Sequence, residues 1–462
     1  MTSQPMGAVV CEVPKGRSNH ACLQGPAEKS SLFDKTLMGN SMDDHGDSKQ
    51  PAGPCKGPSC PPSACGPASG SESSALSRML DEYFQNMLGR CLDYAQSAKA
   101  SGRPIVGIMC EYTPRELILA AGGVPVCLCG GSLETIARAE EQLPANLCPL
   151  IKSTFGYHLK RSNPFLEMAD LVVAETTCDG KKKMYELMSA SRSMYVLELP
   201  QKAGDADALT HWLAELRKLR RFLAYRYGKS LDDDALRKAI AVTNRYRDLR
   251  RRLAGLSQLA NPPLTGRQLL DFKSIIWCME SDLAAYEKAL AGFCPDSPRG
   301  DLTDRVRVLL TGVPMVHGAE KVVDCIESAG GVVVCMENCT GIKPLLEDVD
   351  EAAGDPLEAI ARKYFAMPCS VMTPNDARLA SLLRLCRQYR PQCIIDLSWQ
   401  ACLTYDVESA RVKALAEREL GLPFLRISTD YSPGDAGRIA LRVEALFENV
   451  RNVRPHGGCT AS

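Results

Sequence analysis

Apolar runs alternate with helical stretches along residues 103–200, and this order predicts a parallel α/β fold. The strand RPIVGIMC precedes the helix PRELILAA, which ends at Gly122-Gly123, and the strand VPVCLC follows. Glycine adopts the left-handed conformation that ends many helices, and a strand–helix–strand order implies parallel strands joined by a crossover. The pattern continues with a helix after Cys148, the strand ADLVVAETT, the helix KKKMYELMSASR and the strand MYVLELP.

Residues from Arg305 onward repeat this order. The predicted elements are the strand RVRVLLTG, the helix GAEKVVDCIESAGG, the strand VVVCMENC, the helix MTPNDARLASLLRLCRQY and the strand CIIDLSW, followed by LPFLRIST and a last helix. Both halves also contain Ala-Gly-Gly-Val-X-Val-Cys, at 121–127 and 329–335. The predicted fold class is therefore α/β, with two duplicated parallel-sheet domains of Rossmann or flavodoxin type and a helical domain or insert.

The remaining segments differ in composition. The N-terminal residues are rich in Pro, Gly, Ser and Cys and show no hydrophobic period, so they cannot bury a core alone. The segment between the two halves is rich in Leu, Ala, Arg and Lys with helical periodicity. The predicted organisation is a disordered tail (1–74), a first α/β domain (75–204), a helical domain (205–298), a second α/β domain (299–452) and a loose tail (453–462).

Composition narrows the class of protein. Lys+Arg and Asp+Glu both number 55 in the 462 residues, so no net charge favours nucleic acid or a membrane surface. The sequence begins without the pattern of a signal peptide and contains no apolar run long enough to cross a bilayer. We therefore expect a cytoplasmic protein, in which 21 cysteines indicate metal or redox chemistry rather than a disulfide framework.

Six cysteines lie where loops meet predicted helices. Three follow strands and precede helices, one follows a strand after a polar turn, and two are predicted to begin helices beside a proline. Ligands of parallel sheets bind beyond the carboxyl ends of the strands, and a helix N-terminus favours the thiolate form. We expect these six to face one cleft between the domains: Cys110, Cys148, Cys178, Cys339, Cys369 and Cys402.

Any one of these cysteines alone would more simply be a small buried hydrophobe. Their occurrence at six junctions in two related halves favours a shared metal site instead. The remaining cysteines of the two halves lie within predicted helices or strands, where we expect them to pack in the core: Cys91, Cys325, Cys386, Cys127, Cys129, Cys335 and Cys393.

The spacing of the six cysteines distinguishes between metals. Structural zinc generally takes closely spaced pairs of cysteines, whereas isolated cysteines with long gaps suit an iron–sulfur cluster, in which sulfide fills the other positions. Three thiolates per half suggest two cubane-like units, each one protein ligand short of four. The sequence contains neither a G-x-x-x-x-G-K-[ST] loop for ATP nor a G-x-G-x-x-G dinucleotide motif.

Six motifs in order resemble the 2-hydroxyacyl-CoA dehydratase family, and most of all its double-cubane cluster proteins. They are GIMCEYTPRELILAAGGVPVCL, LCPLIKSTFG, ETTCDGKKKMYE, ENCTG, MPCSVMTPNDAR and ACLTYDVE…GLPFLRISTDYSPGDAGRIALRVEAL, and the resemblance covers roughly residues 75–450. It implies that the six cysteines bind an [8Fe–9S] double cubane. It also implies a homodimer and a separate ATP-hydrolysing activator that carries its own [4Fe–4S] cluster and supplies low-potential electrons.

These inferences favour an iron–sulfur reductase that acts on a small molecule, with ATP used only on its partner. One alternative is a 2-hydroxyacyl-CoA dehydratase component with a [4Fe–4S] cluster, and another is a non-enzymatic electron carrier or cluster scaffold. Glu111, Tyr112 and Glu337 flank the proposed ligands, so they are candidates to supply protons; Asp179 and Lys182 are further ones. A role in orienting the sulfur ligands by hydrogen bonds is the competing interpretation.

Overall fold

The structure is a computed structural model that describes residues 82–292 and 301–452. The predicted N-terminal tail (1–74) and C-terminal tail (453–462) lie outside the described residues.

The first half contains four short strands that form one parallel sheet. The strands are β1 (Ile105–Ile108), β2 (Val124–Cys127), β3 (Leu171–Glu175) and β4 (Met194–Leu197), in the spatial order β2-β1-β3-β4. Its helices are α1 (Met87–Ala100), α2 (Arg115–Ala120), α3 (Ile136–Glu140), α4 (Pro149–Lys160), α5 (Pro164–Met168) and α6 (Asp179–Ser189).

The described part of the segment that follows is built from helices, with one isolated bridge between Ile276 and Val126 of β2. The helices are α7 (Ala208–Tyr227), α8 (Asp233–Gly255), α9 (Gly266–Asp271) and α10 (Glu280–Gly292). The long helices α7 and α8 are amphipathic, with charged residues on their exposed faces. Across residues 82–292 and 301–452, no helix is both long enough and apolar enough to span a membrane.

The second half forms another parallel sheet. Its strands are β5 (Val306–Gly312), β6 (Gly331–Glu337), β7 (Cys393–Trp399) and β8 (Phe424–Thr429), in the spatial order β6-β5-β7-β8. This is the order of the first sheet, element for element, so the prediction of a duplicated parallel α/β fold is confirmed. Its helices are α11 (Lys321–Ser328), α12 (Pro356–Phe365), α13 (Asp376–Tyr389), α14 (Leu403–Ala414) and α15 (Ala436–Asn452).

The glycines of the repeated Ala-Gly-Gly motif end helices, as predicted. Gly122 follows α2 with a φ of 77°, and Gly330 follows α11 with a φ of 90°. Side chains strongly disfavour this left-handed conformation, so glycine is needed where each helix turns back into the neighbouring strand.

Two cysteines depart from their predicted elements. Cys369 does not begin a helix but lies in the loop between α12 and α13, and α13 starts only at Asp376. Proline disfavours the helical conformation in the residue before it, so Pro374 delays the start of this helix. Cys129 lies two residues beyond the end of β2 rather than inside the strand.

The hydrophobic cores join the two halves. One core contains Val126 from the first sheet together with Val308 and Tyr431 from the second half. The hydroxyl of Tyr431 donates a hydrogen bond to the carbonyl of Gly130 over 3.1 Å. Tyr431 therefore anchors one half to the other.

A buried network of charged and polar groups links both halves to the helical segment. Glu116 of α2 forms a fully buried ion pair with Arg247 of α8. Glu116 also accepts hydrogen bonds from Thr243 (3.0 Å) and from Tyr364 of α12 (2.8 Å). Although burial opposes ionisation, Arg247 and Lys363 hold the pKa of Glu116 at about 2. Glu116 is therefore a carboxylate whose charge depends on its partners.

We predict that Arg247→Met lowers the free energy of unfolding by about 3–5 kcal/mol, because it leaves a buried carboxylate uncompensated. Arg245→Met on the same helix is the control, since Arg245 is exposed and pairs with exposed Glu287. The control should change stability by less than about 1 kcal/mol. Urea denaturation measures both, and equal effects of the two substitutions would contradict the assignment.

Candidate functional site

Three of the six predicted ligands cap helices. Cys148, Cys178 and Cys402 are the N-cap residues of α4, α6 and α14. At this position the partial positive charge of the helix N-terminus favours a thiolate over a thiol. These three side chains therefore occupy positions suited to an anionic metal ligand.

The other three predicted ligands lie in loops. Cys110 is two residues beyond β1, Cys339 is two residues beyond β6, and Cys369 lies in the loop before α13. The residues at these positions are buried or half-buried. Every described cysteine is a free thiol, so none of the six is committed to a disulfide.

Cys110, Cys339 and Cys369 form a first group of neighbouring thiols. Burial raises the pKa of Cys110 well above its usual range; Lys181 opposes this shift, while Cys339 and Cys369 add to it. Burial also raises the pKa of Cys339 to about 12, with a further contribution from Cys369. The mutual repulsion of these thiolates would be relieved by a cationic group bound among them.

Cys148, Cys178 and Cys402 form a second group. The interaction between the side chains of Cys148 and Cys402 lowers the pKa of Cys148 and raises that of Cys402. Burial raises the pKa of Cys178, and its neighbours Cys402 and Cys369 contribute to the shift. Cys369 belongs to the first group, so its interaction with Cys178 connects the two groups into one set of six thiols.

Each group takes residues from both halves of the chain. The first combines Cys110 with two cysteines of the second half, and the second combines Cys402 with two of the first half. Sequence reasoning assigned three thiolates per half to each cubane-like unit. The interactions that shift the pKa values of these thiols cross between the two halves, and the assignment of three thiolates per half to each unit stays a prediction.

The donor set suits a cluster better than a single ion. Within residues 82–292 and 301–452, no three His, Cys, Asp or Glu side chains lie close enough to hold one metal ion. A cubane contains several irons that each take one thiolate, so its protein ligands stand farther apart than those of one ion. Six half-buried to buried thiols in two connected groups of three fit that requirement.

Glu111, a predicted proton donor, is held as a carboxylate. It pairs with Arg115 at 2.7 Å and with Lys273 at 3.3 Å. Burial would raise its pKa, but Arg115 and Lys273 lower it below the usual range. In this arrangement Glu111 positions two cations beside the cysteines and has no proton to give.

Glu337 is likewise an ion-paired carboxylate. It is fully buried and pairs with Lys343 at 3.1 Å and with Arg378 at 3.4 Å. Burial would raise the pKa of Glu337, but these two cations outweigh that effect and lower it.

Tyr112, the third candidate, is a buried phenol whose hydroxyl donates to the carbonyl of Met367 over 2.8 Å. Burial raises its pKa well above the usual range, and Cys369, Cys110 and Cys339 add to the shift. Tyr112 is thus a neutral proton carrier adjacent to the first group of thiols.

The three consecutive lysines after Cys178 point in different directions. Lys182 is exposed and pairs with the exposed Asp179 at 2.7 Å. Lys181 instead donates to the carbonyl of Met109 over 2.7 Å. Burial would lower the pKa of Lys181, but Tyr185 and the thiols of Cys129, Cys110 and Cys178 raise it well above its usual range.

Sequence reasoning missed Lys273, which lies between helices α9 and α10. Its ammonium group donates to the carbonyl of Cys339 over 3.1 Å in addition to its contact with Glu111. Lys273 also lines a cavity of about 640 Å³, which is large enough for a small molecule. Other residues lining this cavity include Cys129, Phe165, Arg267, Met315 and Thr340.

Glu175, at the end of β3, was also missed. It is buried, and Thr113 donates a hydrogen bond to one of its oxygens. Burial raises its pKa to about 8, although Thr113, Lys181 and Arg115 oppose the shift. Glu175 therefore retains a proton at neutral pH. The only signal in the sequence is an acidic residue at the end of an otherwise apolar strand.

Known proteins with similar sequences point to one family. Residues 110–450 match the family model described as 2-hydroxyglutaryl-CoA dehydratase, D-component. The Escherichia coli K12 protein YjiM, named as a putative dehydratase subunit, is 41% identical over 356 residues, which cover 76% of this chain and 92% of YjiM.

Two more distant relatives belong to different named enzymes. One of the subunits of benzoyl-CoA reductase from Thauera aromatica is 26% identical over 281 residues, covering 59% of this chain and 71% of that protein. The beta subunit of (R)-2-hydroxyglutaryl-CoA dehydratase from Acidaminococcus fermentans is 19% identical over 388 residues, covering 81% of this chain and 100% of that protein. Reduction and dehydration are thus both represented among the relatives.

We predict that Glu175→Gln flattens the pH dependence of stability. The folded wild-type chain keeps a proton on Glu175 up to about pH 8, whereas an unfolded glutamate releases it near its usual pKa of 4.5. The free energy of unfolding should therefore fall as pH rises between these values, by up to about 1.4 kcal/mol per pH unit. Urea denaturation across this window should show a shallower slope for the glutamine variant. Parallel curves would contradict a protonated Glu175.

Proposed function

The chain belongs to the 2-hydroxyacyl-CoA dehydratase family, and from this premise we propose that it is an iron–sulfur reductase for a small molecule. The proposed cofactor is a double-cubane [8Fe–9S] cluster. Its proposed ligands are Cys110, Cys148, Cys178, Cys339, Cys369 and Cys402.

The observation that carries this proposal is the connection of the six thiols into one set. Two of them are buried and four are half-buried, and three of them cap helices whose N-termini favour thiolates. The two groups of three thiolates would ligate six irons of a double cluster, with one thiolate on each of these irons. When bound, such a cluster supplies electrons at low potential.

The chain's own residues would then position the substrate and manage protons. The cavity that contains Lys273 adjoins the first group of thiols through the hydrogen bond to Cys339. Lys273 can orient a carbonyl or carboxylate oxygen in that cavity by donating a hydrogen bond. Tyr112 and Glu175 carry protons at neutral pH, whereas Glu111 and Glu337 are ionised.

The electrons would come from a separate protein. The sequence contains no P-loop motif, so in this proposal an ATP-hydrolysing activator with its own [4Fe–4S] cluster reduces the chain. The relatives are named as subunits, which supports a system of several components. We propose that this chain itself forms a homodimer.

A second candidate function is radical dehydration of a 2-hydroxyacyl-CoA with a [4Fe–4S] cluster. The names of YjiM and of the Acidaminococcus fermentans protein favour it. A third, non-enzymatic candidate is an electron carrier or cluster scaffold. Assays with an activator and ATP separate the three, since only a reductase consumes stoichiometric electrons, a dehydratase uses them catalytically, and a carrier turns over no small molecule.

We predict that anaerobically purified chain contains about eight irons with acid-labile sulfide. About four irons per chain would favour the dehydratase candidate instead. Zinc without sulfide would contradict both iron–sulfur functions. Colorimetric iron and sulfide assays, together with elemental analysis, make this measurement.

We predict that Cys402→Ala loses cluster iron, because it removes a thiolate from the second group. Cys386→Ala is the matched control, since Cys386 is buried within α13 and its pKa is raised to about 12 by burial alone. This control should retain the wild-type iron content. Equal iron in the two variants would refute the ligand assignment.

A further inference from the structure

Lys181 lies close to two proposed ligands. It belongs to the helix that follows Cys178, and it contacts the backbone just before Cys110. It is in the first turn of α6, whose N-cap is Cys178. Its ammonium group donates to the carbonyl of Met109, at 2.7 Å, and Met109 directly precedes Cys110. The thiol of Cys129 donates to the same carbonyl over 3.3 Å. Lys181 thus bridges a residue of the first group of thiols and a residue of the second.

Lys181 also differs from the other cations around the thiols in having no carboxylate partner. Lys273 pairs with Glu111 at 3.3 Å and Lys343 pairs with Glu337 at 3.1 Å. No carboxylate of residues 82–292 and 301–452 forms an ion pair with Lys181, and the nearby Glu175 keeps its proton at neutral pH. The thiols of Cys129, Cys110 and Cys178 are instead among the groups that raise the pKa of Lys181 against the effect of burial. Lys181 is half-buried, and a partly desolvated ammonium group is stabilised by any anionic group that lies close to it.

The two lysines that follow it are natural controls. Lys182 pairs with Asp179, and Lys183 pairs with Glu186, in both cases on the exposed surface of α6. Three identical side chains in sequence therefore occupy two different environments. Of the three, Lys181 alone donates a hydrogen bond to the backbone beside a proposed ligand.

We propose that Lys181 is a positioning residue whose fixed positive charge spans the two groups of thiols and sets the reduction potential of the cluster that they hold. This inference rests on the proposed function. An added electron makes a cluster more negative, so a neighbouring cation stabilises the reduced state more than the oxidised one. Charge and hydrogen bonding around the sulfurs are among the factors that determine cluster potentials. Lys181 supplies such a charge without itself ligating iron.

The test compares four full-length chains purified anaerobically: wild type, Lys181→Met, Lys181→Arg and Lys183→Met. Iron and sulfide content are measured first, and the midpoint potential is then determined by a mediator-based redox titration followed by electron paramagnetic resonance. Lys181→Met should retain iron and shift the midpoint potential to a more negative value. Lys181→Arg preserves the charge and Lys183→Met removes an exposed one that pairs with Glu186, so both should match the wild type.

Two results would overturn the role of Lys181 while leaving the proposed function intact. One is an unchanged potential in Lys181→Met with wild-type iron content. The other is loss of iron in both Lys181→Met and Lys181→Arg, which would show that the residue contributes packing rather than charge. A wild-type chain without iron and sulfide would overturn the proposed function and this inference together.

Discussion

Parallel strands bring their carboxyl ends to one edge of a sheet, and this chain builds its candidate site where two such edges meet. Cys110 follows β1, Cys178 and Cys402 cap the helices after β3 and β7, and Cys339 follows β6. Each sheet alone would place its cysteines at an open edge. Their interactions across the two halves instead create a half-buried to buried set of thiols. Anionic groups in such a site need nearby cations, and this requirement explains the lysines and arginines around it.

The carboxylates and cations around the site form ion pairs, and Lys181 and Glu175 are exceptions. Glu111 and Glu337 each accept two cations and remain ionised despite burial. Glu175 interacts with the cations of the site yet keeps its proton, because burial dominates its pKa. Lys181 donates to the carbonyl of Met109, and the salt bridges of residues 82–292 and 301–452 do not include it. Within this region Glu111 and Glu337 are therefore ionised, whereas Glu175 is protonated.

Local sequence patterns predicted the elements well, because they depend on neighbouring residues. The apolar strands, the helices between them and the terminating glycines at 122 and 330 were all readable from short windows. The junction positions of Cys148, Cys178 and Cys402 followed from the same patterns. The apolar pattern wrongly predicts that Cys369 begins a helix. Pro374 restricts the backbone of the residue before it, and the helix begins only at Asp376.

Long-range contacts could not be read in this way. Lys273 lies in the helical segment, far along the chain from both Glu111 and Cys339, so no window contains the three together. Lys181 and Lys182 are adjacent and identical, and only the rotational phase of α6 against the rest of the site decides which one faces inward. The grouping of cysteines across the two halves depends on how the sheets dock, which periodicity does not encode. Similarity to relatives identifies the family of the chain but does not reveal these contacts.

Each group combines cysteines from both halves, and this constrains how the protein could have arisen by duplication. Neither half alone contains a full group of three, since Cys110 relies on cysteines that lie beyond residue 300 and Cys402 on cysteines before residue 200. An ancestor with a single half could have completed such a set only by pairing with a second copy of itself. Fusion of the two copies would then have made the encounter of the sulfur-bearing loops independent of protein concentration, leaving each half free to diverge around a centre common to both.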